Sequence, residues 1–242
     1  MHLQKILNMQ IYLENILGML MTGPNFVVNA IKNLTKETYH WQNYWANRKI
    51  DWKAHYLDTW NHPHRFMLSS VLKQIEWMSL LEVGSGPGAN LANFIRHFPG
   101  RQLGGVDINP EAIELAKQTF NGAFLKVGSA DDIMMSDSST DVVLSDMTVI
   151  YFGPRRIKKA LKEIRRVARK YAIFCEFHSE SVWERLMLRI TSGYHAYNYR
   201  TLLAKMGFYD ITLIKIPPEA WPGEDPKQKL RYIVVAKVPK RK

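Results

Sequence analysis

Residues 79–94, SLLEVGSGPGANLANF, constrain this chain more than any other stretch. The apolar run Leu80, Leu81 and Val83 gives way to Gly84-Ser85-Gly86-Pro87-Gly88 and then to residues at helical spacing. That pattern predicts a buried strand, a glycine turn and a helix start. Glycines at such a junction let the backbone turn sharply and let a ligand approach where no Cβ stands. The first N–H groups of the helix, which have no partner inside it, face an anionic or polar group. Pro87 loses no hydrogen bond near a helix start. Two ligand classes satisfy the spacing. Gly84, Gly86 and Ala89 meet the dinucleotide pattern G-x-G-x-x-G/A, whereas Gly84, Gly86 and Gly88 meet the tighter G-x-G-x-G. Glu82 weighs between them, because a carboxylate at the end of the strand attracts a cationic ligand and repels a pyrophosphate.

Downstream residues extend the pattern. Gln102–Asp107, QLGGVD, reads as a second strand ending in a carboxylate, an acceptor for ribose hydroxyls in either a nicotinamide cofactor or S-adenosylmethionine. Asn109-Pro110-Glu111 supplies an N-cap, a proline at the first helical position and an acid in the first turn. Phe124–Val127 reads as the third strand and Asp141–Ser145 as the fourth, with Asp146-Met147-Thr148 at its carboxyl end. Tyr171–Phe177 is the fifth, leaving Glu176 and His178 at the sheet edge. Phe208–Ile216 and Leu230–Val238 complete the set, joined by a loop that contains Trp221.

The segment Glu82-Val83-Gly84-Ser85-Gly86-Pro87-Gly88 resembles motif I of the class I S-adenosylmethionine-dependent methyltransferases, and the likeness covers roughly Ser79–Val238. It implies an α/β fold, a doubly wound, seven-stranded, mostly parallel Rossmann-like sheet whose last strand is antiparallel. A methyltransferase domain would occupy residues 77–242 behind an N-terminal helical extension or lid at 1–76. The implied cofactor is S-adenosyl-L-methionine. Its methionine part would lie over Glu82, Gly84, Ser85, Gly86 and Gly88, its ribose on Asp107 and Ile108, and its adenine beside Ser129, Ala130 and Asp131, with Asp146 at the rim. Where the family commonly reads G-D-A, this chain has Gly128-Ser129-Ala130, so the adenine contact falls to Ser129 or shifts to Asp131. Where the branches that methylate amides and DNA amino groups carry N/D-P-P-Y, this chain has Asp146-Met147-Thr148-Val149, which withdraws support for those substrates.

The donor in this family is already activated, so a base is needed only where the acceptor must lose a proton. His178 and Asp146 are the candidates, with Glu176 and His195 behind them; Asp146 and Glu176 alone do not make a magnesium site. The single cysteine, Cys175, excludes an intrachain disulfide and a thiolate-rich metal site. Aromatics crowd the stretch ahead of the glycine strand: Tyr39, Trp41, Tyr44, Trp45, Trp52, Tyr56, Trp60 and Phe66, interleaved with His55, His62 and His64. Such a cluster walls a pocket or glues the extension down. Arg65 holds the donor carboxylate or caps a loop. A helix is predicted over Phe66–Glu76.

Charge is placed unevenly. Residues 1–150 hold 12 Lys/Arg against 14 Asp/Glu, and residues 151–242 hold 21 against 8, so the net +11 resides in the second half. Arg155–Lys170 is the densest part, with Ile157, Leu161, Ile164 and Ala168 forming an apolar stripe under a cationic face. Residues 1–22 place Ile6, Met9, Leu13, Ile16, Leu17 and Leu20 on one helical face, for packing on the domain or for a homodimer contact. The opening carries one early lysine and an interrupted apolar segment, and no stretch is long and apolar enough for a transmembrane span, so the expected location is cytoplasmic. The expected activity is methyl transfer to an O or N atom of a small-molecule acceptor. The alternatives are methyl transfer to RNA or another polyanion, motivated by the basic half, and a nicotinamide-dependent oxidoreductase, motivated by the glycine spacing.

Overall fold

The computed structural model describes residues 38–222 and 226–240. The helix expected at residues 1–22, and the dimer contact assigned to it, lie outside the described residues. Seven strands form one sheet in the order β3-β2-β1-β4-β5-β7-β6: β1 (Ser79–Val83), β2 (Gln102–Asp107), β3 (Phe124–Val127), β4 (Thr140–Asp146), β5 (Ala168–Phe177), β6 (Tyr209–Lys215) and β7 (Arg231–Lys237). The first five pair in parallel, and β7 runs antiparallel between β5 and β6. This is the doubly wound, mostly parallel sheet that the sequence implied.

Helices cover both faces, which is why the central strands are apolar at successive positions rather than alternating. Leu81, Val83, Val143 and Phe174 face a core completed by α6 (Pro154–Val167) and α8 (Tyr199–Lys205). Leu80, Val142, Leu144 and Ile173 face the opposite core, filled by α3 (Pro63–Leu72), α4 (Ala89–His97) and α5 (Pro110–Thr119). Two short helices precede these, α1 (Thr38–Ala46) and α2 (Trp52–His55), and α7 (Val182–Ser192) follows β5.

Two places differ from expectation by more than one residue. The helix predicted at Phe66–Glu76 begins earlier and runs Pro63–Leu72, since Pro63 at its first turn needs no N–H partner. The apolar stripe of α6 ends at Val167, because Ala168 is extended (φ −71°, ψ 136°) and pairs with Thr140 as the first residue of β5.

Strand β1 lies between β2 and β4, so the winding direction reverses at the carboxyl ends of β1 and β4, where open α/β sheets bind ligands. No helix among the described residues is long and apolar enough to cross a membrane.

Candidate active site

A cavity of about 320 Å³ opens at that reversal. Its floor is the turn after β1 together with the ends of β2 and β4, and its roof includes Trp41, Trp45, Trp52 and Tyr56 from the N-terminal segment, Tyr151 after β4, and Trp221. The two nearest glycines serve different ends. Gly84 has φ +72°, and a Cβ there would collide with the Thr148 side chain; Gly86 has φ +51°, and a Cβ there would meet nothing within 4 Å. The turn is therefore packed against the loop after β4 at Gly84 and open at Gly86.

Asp107 braces this turn. Its Oδ2 accepts the Gly86 N–H at 2.8 Å, and its Oδ1 accepts the Asn109 N–H at 2.8 Å. Burial pushes the Asp107 carboxyl up, opposed by those backbone donors. Asn109 caps α5 through Oδ1, which accepts the Ala112 N–H at 3.0 Å. Its Nδ2 donates to the carbonyls of Trp45 and Arg48 at 2.8 and 2.9 Å. One side chain thus ties the aromatic roof to the end of β2.

A second group of polar side chains lies under the roof. Glu82 is 2% exposed, and its Oε1 accepts from Asn90 Nδ2 at 2.6 Å, while Oε2 has no partner. Burial pushes the Glu82 carboxyl up to about 8, against the pull of Asn90. The same Asn90 Nδ2 donates to Asp146 Oδ2 at 2.9 Å, and Asn90 Oδ1 accepts from Arg65 Nη1 at 2.6 Å. Asp146 Oδ2 also accepts from His64 Nε2 at 2.9 Å and lies 3.4 Å from Arg65 Nη1. Burial alone would raise the Asp146 carboxyl, but His64, the Arg65 guanidinium and the hydrogen bonds from His64 and Asn90 hold it well below the usual carboxylate range. Two buried carboxylates joined by one amide are therefore held in opposite states, Glu82 protonated near neutrality and Asp146 ionised. His64, Asp146 and Cys175 bring ligand atoms within 4.8 Å of one another. Arg65 already supplies positive charge to that carboxylate, and burial together with Asp146 pushes the Cys175 thiol up, so the cluster is poorly disposed to a metal ion.

The structure brings most of the sequence-predicted residues to this cavity: Glu82, Gly84, Ser85, Gly86, Asp107, Ile108, Ser129, Ala130 and Asp146 line it. Others lie elsewhere. Gly88 is the N-cap of α4 at φ +92°, and a Cβ there would strike the Phe120 ring, so it packs rather than lines. Asp131 is held by Arg156, whose Nε and Nη2 lie 3.1 Å from its two oxygens, and by the Ser129 hydroxyl. His178 is buried with its Nδ1 accepting the Tyr199 N–H at 3.1 Å, and it does not line the cavity. The strand end that was expected to aim it at a substrate instead pairs with Tyr197. Glu176 props the loop after β4, its Oε1 accepting from the Ser145 hydroxyl at 2.7 Å and from the Thr148 and Val149 N–H groups at 3.0 and 3.2 Å. His195 stacks on Tyr197, and burial pushes it down to about 4. Neither reaches the cavity. Arg65 is committed to Thr59, Asn90 and Asp146.

Sequence reasoning placed His62 and His64 only within the aromatic cluster that walls a pocket or glues the extension down, and did not single out Asn90 or Tyr151. The only local signal was Asn90, a polar residue among apolar ones at the start of α4. Tyr151 joins the roof through rings that are remote in sequence, at 4.9 Å from Trp41 and 5.6 Å from Trp45.

Comparison with known proteins shows what the chain is similar to. A methyltransferase-domain family model matches residues 80–171. An uncharacterized methyltransferase-like protein of Schizosaccharomyces pombe is 32% identical over 88 residues, 36% of this chain and 33% of that protein, so the match spans about a third of that relative's length. The solved structure of the S-adenosylmethionine-dependent methyltransferase SibL superposes with a TM-score of 0.58 at 13% identity, covering 88% of this chain and 70% of that one. A methyltransferase from Archaeoglobus fulgidus gives a TM-score of 0.51 at 17% identity, covering 72% of this chain and 94% of that one. These two likenesses are of fold. The matched methyltransferase domain runs from β1 to the start of β5 and encloses the glycine turn, Asp107 and Asp146.

Proposed function

We propose that this chain binds S-adenosyl-L-methionine over the glycine turn and directs its methyl group to an O or N atom of a small molecule held under the aromatic roof. The observation that carries this reading is the composition of one cavity. On one side stand the unpartnered Glu82 Oε2 and the bare edge of Gly86, on the other a wall of Trp41, Trp45, Trp52, Tyr56 and Tyr151. A buried carboxylate oxygen without a partner suits an ammonium group, which restores both a hydrogen bond and a counter-charge. Asp107 offers lone pairs to ribose hydroxyls, and Ser129 and Ala130 border the space for an adenine. The Asp131 carboxylate is already neutralised by Arg156, so Ser129 and Ala130 carry that role in this proposal.

The bound donor supplies an electrophilic methyl group on a sulfonium. The chain's own contribution is orientation and exclusion of water, an effect worth up to about 7–11 kcal/mol in well-aligned systems. The described part of the extension, from residue 38 onward, acts as the lid, and Asn109 anchors it to the end of β2.

Calorimetric binding of S-adenosylhomocysteine tests the reading. Wild type is expected to bind, Asp107→Ala to lose the ribose acceptor and the brace of the turn, and Gly86→Leu to fill the bare edge. Undiminished affinity in both variants contradicts the site. The polyanion alternative draws on Arg155, Lys158, Lys159 and Lys162, exposed along one side of α6. RNA binding that weakens steeply with salt would favour it.

A further inference from the structure

His62 and His64 flank Pro63 at the start of α3, and both rings line the cavity. His64 Nε2 lies 2.9 Å from Asp146 Oδ2, and His64 Nδ1 lies 2.5 Å from His62 Nδ1. The protons follow from chemistry. An ionised carboxylate only accepts, so His64 Nε2 donates to Asp146; in a neutral ring the other nitrogen, Nδ1, is then a bare acceptor. With His64 neutral, the proton between the two rings belongs to His62 Nδ1. That leaves Nε2 of His62 as an unprotonated lone pair on a ring that borders the cavity.

We propose that His62 is the proton acceptor for the methyl-accepting group, wired through His64 to Asp146. The proposal rests on the methyl-transfer reading of this cavity. The acceptor's O–H or N–H bond breaks toward His62 Nε2, and its electron pair stays on the acceptor atom. The Nδ1 proton of His62 passes to His64 Nδ1. His62 ends neutral, and the positive charge resides on His64, 2.9 Å from the Asp146 carboxylate.

The surroundings favour this division of labour. Burial, with Arg65 and Arg231 as positive neighbours and Asp146 opposing them, pushes His62 down to about 4, so an imidazolium retained on His62 itself is disfavoured. Trp221 stacks on His64 with ring centroids 4.2 Å apart and meets His62 edge-on at 5.3 Å, while the Arg231 guanidinium lies 4.2 Å from the Trp221 ring centroid. Both rings are thereby fixed between α3 and the segment before β7. His64 and Asp146 act as positioning residues. His178, the expected base, is spent on the Tyr199 N–H.

The test is nitrogen-15 NMR of the full chain labelled at histidine, which reads the protonated nitrogen of each ring; His62→Gln assigns the signals. At pH 7 the wild type is expected to show His62 protonated at Nδ1 and bare at Nε2, the minor tautomer of free imidazole. In His64→Gln it is expected to revert to Nε2–H. A His62 Nε2–H tautomer in wild type at pH 7 overturns the relay, as does a tautomer that His64→Gln leaves unchanged. Binding of S-adenosylhomocysteine, measured separately, is expected to change less than threefold in His62→Gln. Loss of that binding in wild type would remove the methyl-transfer reading while leaving the tautomer result intact, so the two failures are distinguishable.

Discussion

Glu82 and Asp146 sit on either side of one amide, Asn90, yet burial raises the first to about 8 and positive neighbours hold the second ionised. The linkage has a definite sign. A carboxyl raised from about 4.5 to about 8 binds more protons in the folded than in the unfolded chain between those values, so the ligand-free protein is expected to lose stability as pH rises through that window. Glu176, raised to about 8 chiefly by burial, adds to the same loss. Urea unfolding at pH 5 and pH 8 checks this, and Glu82→Gln should flatten the pH dependence. Pairing Glu82 with a donor ammonium must ionise it, so S-adenosylhomocysteine binding at pH 7 should release protons. Calorimetry in buffers of different ionisation enthalpy reads that release, which Glu82→Gln should reduce. His178 makes the contrasting case. His178→Ala leaves the buried Tyr199 N–H without an acceptor, a cost of about 1–3 kcal/mol in stability. Binding of S-adenosylhomocysteine is expected to persist, and its loss would return His178 to the site.

Among elements, the strand, turn and helix at Ser79–His97 show why one glycine is not another. Gly84→Ala places a Cβ into the Thr148 side chain at a positive φ and should destabilise by more than Gly86→Ala, where the left-handed backbone costs about 1–2 kcal/mol and space is open. Thermal unfolding of the two variants checks the order. This element was legible because its signals are local: apolar run, glycines, then helical spacing. The first four strands and Asp107 were readable for the same reason, since buried parallel strands announce themselves as short apolar runs. What escaped were partners chosen by the fold. His64 meets Asp146 across 82 positions, and Arg156 takes Asp131, whose sequence neighbourhood pointed to adenine. The end of α6 was missed because Ala168 fits an apolar helical stripe as well as it fits a strand, and only its pairing with Thr140 decides.

At the scale of the molecule, the charge excess of the second half is partly spent within the fold. Arg156 pairs with Asp131, Arg166 with Glu163 and Asp137, and Arg169 and Lys170 lie near Asp141. A cationic composition is thus a weaker guide to partners than the sequence total suggests. The cavity is the stronger guide, and it can be tested as a whole. Thermal unfolding in parallel with S-adenosylhomocysteine, S-adenosylmethionine and NADH measures whether the glycine turn serves the donor. Ligand at 100 times its dissociation constant should add about 2.7 kcal/mol. Stabilisation of wild type by the two adenosyl sulfur compounds, none by NADH, and its loss in Asp107→Ala are expected; no shift with them, or a shift with NADH alone, would contradict the donor site.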